Sequence, residues 1–208
     1  MKILAVSDRV APAVYHEHVD RRFSDVELVV SCGDLRYDYL EFLVSALNVP
    51  LLYVHGNHDR PLVTDGGLIA APRGCTHVGG RVVAVKGLLV AGLGGSIRYR
   101  PQGAHQYTEW EMRWRAWRLA PRLWRERMIH QRHLDILLTH APPQGIHDQD
   151  DPAHRGFRTL RAFIHRWQPR FLLHGHTYPR RGVPRRTQVN GTQVVHVHGF
   201  QVLEVEVA

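Results

Sequence analysis

The sequence predicts an α/β fold built on a mixed sheet system. At the start of the chain, short apolar and β-branched runs alternate with stretches of helical spacing. This β-α-β-α-β order is typical of a parallel sheet with helices packed on it. Near the C-terminus, Asn190-Gly191 separates two β-rich runs, and this dipeptide is the strongest short indication of an antiparallel hairpin. Apolar residues make up 44% of the 208 residues, which excludes intrinsic disorder, and we expect one domain over residues 1–208.

The first 60 residues contain three predicted strands and one clear helix. Apart from Glu27, the interiors of these strands are apolar or aromatic, as expected when both faces of a sheet are covered. They lie at residues 2–7, 26–31 and 51–55. Four apolar residues recur at helical spacing between Leu40 and Leu47, so a helix is predicted over residues 37–47. Residues 16–23 are predicted as a helix or a loop.

The rest of the chain continues the alternation and then changes to antiparallel strands. A strand hairpin precedes a long polar and aromatic helix, which Pro121 kinks or divides, and an antiparallel meander ends the chain. The predicted elements are strands 82–85 and 88–93, helix 108–130, strand 135–139, helix 155–167, strand 171–174 and meander strands 183–189, 192–196 and 201–207.

Polar residues that suit metal binding follow five of the predicted strands. They are Asp8, Gly33-Asp34, Gly56-Asn57-His58-Asp59, His140 and His174-Gly175-His176. The carboxyl edge of the strands is where α/β sheets bind ligands. Carboxylate, amide and imidazole groups together suit a divalent cation such as Mn, Fe or Zn. Each group alone is compatible with a turn or a structural histidine, but the ordered set predicts a metal centre.

These five groups resemble the motifs of the calcineurin-like metallophosphoesterase family. The family pattern is Asp-x-His, Gly-Asp, Gly-Asn-His-(Asp/Glu), a single His and Gly-His-x-His. The corresponding segments are Asp8-Arg9-Val10, Gly33-Asp34, Gly56-Asn57-His58-Asp59, Thr139-His140 and Gly175-His176-Thr177-Tyr178. The resemblance implies a four-layer sandwich, in which helices flank two packed mixed β-sheets, and two cations bridged by one Asp.

One of the two implied cation sites is complete. By the resemblance, Asp34 is the bridging ligand, and Asn57, His140 and His176 complete the site with it. The expected cation is Mn or Fe, with Zn as a third candidate.

The resemblance also implies a reaction. His58 is the expected proton donor to the leaving oxygen, oriented by Asp59. A hydroxide on the cation would attack phosphorus in line, so the expected activity is hydrolysis of a phosphomonoester or phosphodiester.

The second implied cation site departs from the family pattern. Asp8 is present, but Val10 and Tyr178 stand where the family has His, and both losses fall on the same cation. Tyr37 follows Gly33-Asp34 at the Gly-Asp-x-x-Tyr spacing of purple acid phosphatases, which use that Tyr as an Fe(III) ligand. Tyr37 is therefore either a substitute ligand or an ordinary aromatic residue at a helix start. One well-bound cation is predicted, and occupation of the second site is left open.

Three residues are candidate substrate contacts: Arg36, Arg98 and Tyr178. Arg98 and Arg100 follow a Gly-rich turn, which is either a phosphate clamp or a simple glycine loop. The His- and Asp-rich segment 147–154 either supplies substitute ligands or substrate contacts or forms an ordinary surface loop, and the surface loop is favoured. Its polar residues are His147, Asp148, Asp150, Asp151 and His154.

The predicted helix 108–130 combines tryptophan with arginine. Trp110, Trp114 and Trp117 share one helical face. The surrounding segment 107–133 also carries Trp124, Arg113, Arg115, Arg118, Arg122, Arg125, Arg127 and Arg132. The favoured interpretation is that the Trp face packs on the body with Arg outside. A nucleic-acid surface, an interfacial membrane contact and a dimer interface are the alternatives.

Charge and cysteine content bear on the partner and the compartment. Residues 1–97 carry 9 basic and 10 acidic residues, whereas residues 98–208 carry 18 Arg and 9 acidic residues. This asymmetry indicates either an anionic partner for the second half or simply an arginine-rich, solvated surface. Two Cys fit a reducing compartment, and neither a secretory signal nor a transmembrane segment is visible, so we expect a cytoplasmic protein.

A nuclease, and an impaired family member that binds a nucleotide or a partner, are the alternative functions.

Overall fold

A computed structural model gives the fold and describes residues 1–60, 62–64, 67–69, 71–131 and 133–207. For residues 62–64, 67–69 and 130 the description covers the backbone alone, and Arg132 of the Trp- and Arg-rich segment 107–133 lies outside the described residues. The elements, in chain order, are β1 (Lys2–Ser7), α1 (Val19–Arg22), β2 (Val26–Ser31), α2 (Tyr37–Leu47), β3 (Leu51–Tyr53), β4 (Leu62–Thr64), β5 (Gly67–Ile69), β6 (Cys75–His77), β7 (Val82–Val85), β8 (Leu88–Leu93), β9 (Ser96–Ile97), β10 (Gln106–Tyr107), α3 (Glu109–Trp117), α4 (Ala120–His130), β11 (Ile136–Thr139), α5 (Arg158–Trp167), β12 (Phe171–His174), β13 (Arg186–Val189), β14 (Thr192–His196) and β15 (Gly199–Glu204).

Two large mixed sheets form the body of the protein. The first has the strand order β15-β1-β2-β3-β6, and the second has the order β13-β14-β12-β11-β8-β7. In the first sheet β1, β2, β3 and β6 are parallel and β15 is antiparallel to β1. In the second sheet β14, β12, β11 and β8 are parallel, and antiparallel strands lie at both edges. The expected pair of packed mixed sheets is therefore confirmed.

Alternation along the central strands places apolar residues on both faces of each sheet. Ile3 and Ala5 point into a core between the two sheets, whereas Leu4 points to the side covered by α1 and α2. In the second sheet Leu138 points into the same inter-sheet core, and Leu137 faces the side covered by α3, α4 and α5. The four layers follow from this pattern, because a strand that is apolar on both faces needs cover on both sides.

Each helix is short and amphipathic or polar. No helix in the described residues is both long and apolar enough to cross a lipid bilayer. The predicted helix at residues 37–47 is confirmed without change, and residues 16–23 contain the single turn α1. The predicted helix at residues 155–167 begins later, at Arg158.

The C-terminal meander prediction is wrong in one respect. The hairpin of β13 and β14 forms at Asn190-Gly191, where both residues have positive φ. However, β15 leaves this sheet and pairs antiparallel with β1 of the first sheet, from Lys2–Glu204 to Ser7–Gly199. Local sequence does not reveal this pairing, because β1 lies almost 200 residues before β15 in the chain. In the observed arrangement Leu203 packs in the core between the two sheets.

The predicted long helix 108–130 is divided into α3 and α4. The break falls just before Pro121, which occupies the first turn of α4, where a missing N–H is tolerated. Thr108 caps α3, with a capping box to Glu111.

The expected packing of the Trp side chains on the body is wrong. The buried side of these two helices consists instead of Met112, Ala116, Leu119 and Leu123. A row of apolar side chains remains exposed, and we call it the Trp face. It comprises Trp110, Trp114, Trp117, Trp124, Met128 and Ile129.

Replacing Leu203 by Ala tests the placement of β15. Leu203 is buried in the inter-sheet core, so we expect Leu203→Ala to lower the free energy of unfolding by about 2–5 kcal/mol. Val207 is exposed, and Val207→Ala should stay within about 0.5 kcal/mol of the parent. Urea denaturation measures both changes. Equal effects of the two variants would contradict the burial of β15.

Candidate metal centre

The two sheets present their polar strand ends at one place. Asp8, Asp34 and Asn57 come after β1, β2 and β3, which are parallel neighbours in the first sheet. His140 and His176 come after β11 and β12, which are parallel neighbours in the second sheet. The five ligands expected from the strand ends therefore meet across the junction of the two sheets. Donor atoms of Asp34, His140 and His176 all lie within 4.8 Å of one another.

The closest contacts centre on the Nε2 atom of His140. It lies 3.0 Å from Asn57 Oδ1 and 3.3 Å from Asp34 Oδ2. Donors bound at about 2.1 Å to one cation sit about 3.0 Å apart at right angles and about 3.4 Å apart at a tetrahedral angle. The spacing of these atoms therefore fits a transition-metal cation, and the mixed nitrogen and oxygen donors agree with it.

Backbone carbonyl groups fix which imidazole nitrogen faces the centre. His140 Nδ1 lies 2.8 Å from the Cys32 carbonyl, so this nitrogen donates and Nε2 is left as the ligand atom. His176 Nε2 lies 2.7 Å from the Ala153 carbonyl, so Nδ1 is left as its ligand atom. Such outer hydrogen bonds hold ligating histidines in one tautomer and one orientation.

The pair of Asp34 and His140 dominates the electrostatics of the centre. Burial disfavours the charged form of His140, but the carboxylates of Asp34 and Asp8 raise its pKa to about 9. Burial likewise acts to raise the pKa of Asp34, but His140 and the His58 backbone N–H bring it down to about 2. Without a cation, a proton on His140 thus neutralises Asp34, and a bound cation would take over that role.

The two outer residues of the centre are shifted in the opposite sense. Burial, together with the charge of His140, lowers the pKa of His176 to about 3, so this imidazole is neutral and able to bind a cation. Burial raises the pKa of Asp8 to about 6. Both carboxylate oxygens of Asp8 accept a hydrogen bond from the His176 backbone N–H, at 3.0 and 3.1 Å.

The ligands stand on strained backbone with tight surroundings. Asp8, Asp34 and His176 have positive φ values of 61°, 56° and 70°, which non-glycine residues rarely adopt. A side chain at Gly56 would overlap the Asp34 carboxylate, and one at Gly175 would overlap Asp8. The glycines of the motifs are therefore required by close approach of backbone to ligand.

A cavity of about 750 Å³ opens over the centre. Asp8, Asp34, Asn57 and His176 contribute to its wall together with His58 and Tyr178, which the sequence also singled out. The other lining residues are Arg9, Tyr99, Arg100, Ala153, His154, Thr177 and His198. A phosphate-sized anion entering this cavity would meet two arginines and the metal ligands.

Sequence alone does not single out several of these wall residues. His154 belongs to the segment for which a surface loop is favoured from sequence, but it lines the cavity, with Nδ1 at 2.9 Å from both carboxylate oxygens of Asp151. Arg9 stands in the variable position of the first motif, and nothing in the sequence distinguished it. Tyr99 accepts a hydrogen bond from Asn57 Nδ2 at 3.1 Å, which turns Asn57 Oδ1 toward His140.

The loop after β3 positions two further residues expected in the site. The His58 side chain is exposed at the cavity wall, and its backbone N–H donates to Asp34. The Asp59 carboxylate accepts from the backbone N–H groups of Leu35 and Gly56, so it ties the two ligand loops together. Its expected action on the His58 ring stays a prediction.

Three other candidates lie apart from this cavity. Arg98 is bound to Glu111, at 2.8 and 2.9 Å, and Arg100 lines the cavity in its place. Arg36 pairs with Asp38 and, with Tyr37, lines a smaller neighbouring cavity, which shares Asp34 and His58 with the first one. Burial raises the pKa of the Tyr37 phenol, so the ring is neutral where it lies, and its ligand role stays a prediction.

Comparisons with known proteins agree with this geometry. A family model described as calcineurin-like phosphoesterase matches residues 1–180. One solved crystal structure is similar with a TM-score of 0.66 at 14% identity, covering 97% of this chain and 94% of that chain. The crystal structure of TT1561 of Thermus thermophilus is similar with a TM-score of 0.60 at 18% identity, covering 94% and 88%. A search of curated protein sequences finds no significant match.

Removing His140 tests the centre directly. We expect His140→Ala to weaken Mn²⁺ binding by more than about 100-fold, because loss of an outer partner alone costs 10- to 100-fold. His165→Ala, on the exposed side of α5, is the matched control and should bind as the parent does. Isothermal titration calorimetry measures the affinity, and circular dichroism checks that the variants fold. Unchanged Mn²⁺ affinity in a folded His140→Ala would rule out this centre.

Proposed function

The chain belongs to the calcineurin-like phosphoesterase family, and we propose that it hydrolyses phosphomonoesters or phosphodiesters with a cation held by Asp34, Asn57, His140 and His176. The observation that carries this proposal is the arrangement around His140 Nε2, where Asn57 Oδ1 and Asp34 Oδ2 lie at 3.0 and 3.3 Å beneath an open polar cavity. The donor set favours Mn or Fe, with Zn as the third candidate.

The cation and the protein have separate parts in this proposal. When bound, the cation acts as a Lewis acid that activates water and offsets phosphoryl charge. The chain holds the ligands in place before any substrate arrives. Tyr99 orients the Asn57 amide, and the Cys32 and Ala153 carbonyls orient the two imidazoles. This preorganisation favours a defined binding geometry.

Arginine and histidine side chains are proposed to bind the phosphate ester. Arg9 and Arg100 approach the cavity from different segments, and guanidinium groups suit phosphate oxygens. His154, held by Asp151, and Tyr178, whose ring centroid lies 5.8 Å from that of His154, form another part of the wall. These groups would orient the ester and contact its leaving group.

His58 is proposed to protonate the leaving oxygen. Its backbone N–H is fixed on Asp34 at 2.8 Å, which keeps the residue beside the centre, while its side chain remains exposed to the cavity. A general acid must reach the leaving group from the open side of the site, and this position meets that requirement.

A second cation is proposed to bind weakly or not at all. Asp8 would be its remaining ligand beside Asp34, and Val10 and Tyr178 offer no imidazole. Tyr37, the proposed substitute, lines the neighbouring cavity rather than the one that Asp8 lines. We therefore favour a substrate-contact role for Tyr178.

We further propose that residues 1–208 form one domain and that the protein is cytoplasmic. The inter-sheet core supports the first point, because it joins β1 and β15 from opposite ends of the chain. Two free cysteines, one of them buried, support a reducing compartment.

A matrix of substrates and metals tests the proposed activity. We expect hydrolysis of p-nitrophenyl phosphate or bis(p-nitrophenyl) phosphate in one or more of Mn²⁺, Fe²⁺, Zn²⁺, Ni²⁺ and Mg²⁺. His58→Ala should lower kcat by about 100-fold or more while Mn²⁺ affinity stays unchanged, because a proton donor acts after the cation is bound. Cleavage of a DNA or RNA oligonucleotide alone would favour the nuclease alternative. Absence of turnover with every metal, despite metal binding, would favour the impaired, ligand-binding alternative.

The variant Tyr178→His tests whether position 178 lacks a metal ligand or whether Tyr178 contacts the substrate. If the second site limits the rate, a histidine here should raise kcat and increase the bound metal per chain. Since we favour the substrate role, we expect instead a higher KM with the metal content unchanged. Steady-state kinetics with elemental analysis measures both. A second bound cation with a higher kcat would contradict our assignment of Tyr178.

A further inference from the structure

The Trp face is the most unusual surface of the molecule. Its six side chains are between 41% and 71% exposed, and they account for six of the ten exposed large hydrophobic residues in the described chain. Soluble proteins usually scatter such residues singly. Neighbouring members share surface grooves: Trp117 and Trp124 line one with Arg113, and Trp110 lines another with the same arginine. Trp114 stacks on Trp117, so the four tryptophans are linked rather than isolated. On α4, Met128 lies one turn after Trp124 and therefore on the same side of that helix, and Ile129 follows it.

Core packing does not account for the Trp face. Met112 and Ala116 make the buried side of α3. Two residues along a helix correspond to a rotation of about 200°, so Trp114 lies almost opposite Met112. The helix is thus apolar on two sides, and only one of them packs on the sheet.

Arginine surrounds the Trp face, and the acidic residues of the same helices are already engaged. The Glu109 carboxylate accepts from the backbone N–H groups of Arg158 and Thr159. Glu111 caps α3 and pairs with Arg98. Glu126 is buried and pairs with Arg122 at 2.8 Å. The exposed arginines of these helices and of α5 are Arg113, Arg118, Arg122, Arg125, Arg127, Arg158, Arg161 and Arg166.

The positive charge of the arginines around the Trp face favours an anionic partner. A second copy of the chain would bring arginine against arginine, with the acidic residues of α3 and α4 engaged elsewhere, and like charges across an interface oppose association. This argues against the dimer interface considered from sequence.

The apolar composition of the Trp face favours a lipid surface over a nucleic acid as its partner. Met128 and Ile129 offer no planar face on which a base could stack. Trp114 and Trp117 stack on each other instead, with centroids 5.0 Å apart and ring planes at 20°. Tryptophan and aliphatic side chains beside arginine are the composition of helices that lie in the membrane interface.

We propose that the Trp face binds the surface of an anionic lipid bilayer. The apolar side chains of α3 and α4 would enter the boundary between headgroups and acyl chains, and the flanking arginines would pair with lipid phosphates. The Trp face lies outside the set of residues that line the catalytic cavity, so the proposal does not rest on the proposed hydrolysis. It concerns peripheral binding, which requires no membrane-spanning helix.

Vesicle co-sedimentation of the full chain tests this proposal. We expect at least about tenfold tighter binding to vesicles of phosphatidylcholine with about 30% phosphatidylglycerol than to phosphatidylcholine alone, weakening as salt is raised. Trp114→Ser with Trp117→Ser should reduce binding to the mixed vesicles by about tenfold or more. Both side chains are exposed, so the melting temperature should not change. Val183→Ser, at an exposed apolar position elsewhere, should bind as the parent does.

Two charge-reversal variants test whether vesicle binding depends on the arginines around the Trp face or only on the net charge of the chain. Arg113→Glu with Arg118→Glu should weaken binding to the mixed vesicles more than Arg21→Glu with Arg22→Glu on α1, although both variants have the same net charge. Equal loss in the two variants would overturn the proposal. Failure to bind anionic vesicles would also overturn the proposal. Binding of a single-stranded oligonucleotide in their place would indicate a nucleic-acid surface, and dimerisation on a sizing column with light scattering would indicate a dimer interface.

Discussion

The contact between Asp34 and His140 is the interaction on which the site depends. Asp34 ends a strand of one sheet and His140 ends a strand of the other, and their side chains meet at 3.3 Å in the interior. A buried Asp34 carboxylate would be costly alone, so it needs either a protonated His140 or a bound cation as its partner. Asn57 Oδ1 contacts the same His140 imidazole at 3.0 Å. The whole set of candidate ligands therefore depends on the relative position of the two sheets.

That relative position comes from apolar strands rather than from the polar groups. Ile3, Leu28 and Leu138 meet between the sheets, while alternate residues of the same strands pack beneath helices. Dense packing resists small displacements, so donor atoms at the sheet edge stay within cation-binding distance. The strained backbone at Asp8, Asp34 and His176 is tolerated because strands, glycines and carbonyl contacts hold each ligand on several sides.

The positive charge of the chain is distributed over two separate surfaces. Three of the ten acidic residues before position 98, Asp8, Asp34 and Asp59, belong to the candidate site, and Arg9 and Arg100 line the cavity above it. Eight of the 18 arginines after position 97 are exposed on or beside α3, α4 and α5, outside the cavity lining. The net charge of +8 is therefore an average over surfaces of different composition.

Apolar runs and short motifs are local properties, so most of the strands, the glycine-flanked candidate ligands and the family can be predicted from the sequence. The same motifs group Asp34, Asn57, His140 and His176 into one candidate set. Tertiary contacts are needed to place β15 in the first sheet, to pair Asp59 with backbone N–H groups and to put Arg100 rather than Arg98 at the cavity. The tertiary structure also turns the tryptophans outward. Partners of these residues lie far away in the chain, and several partners of equal chemistry compete, so spacing alone could not select among them.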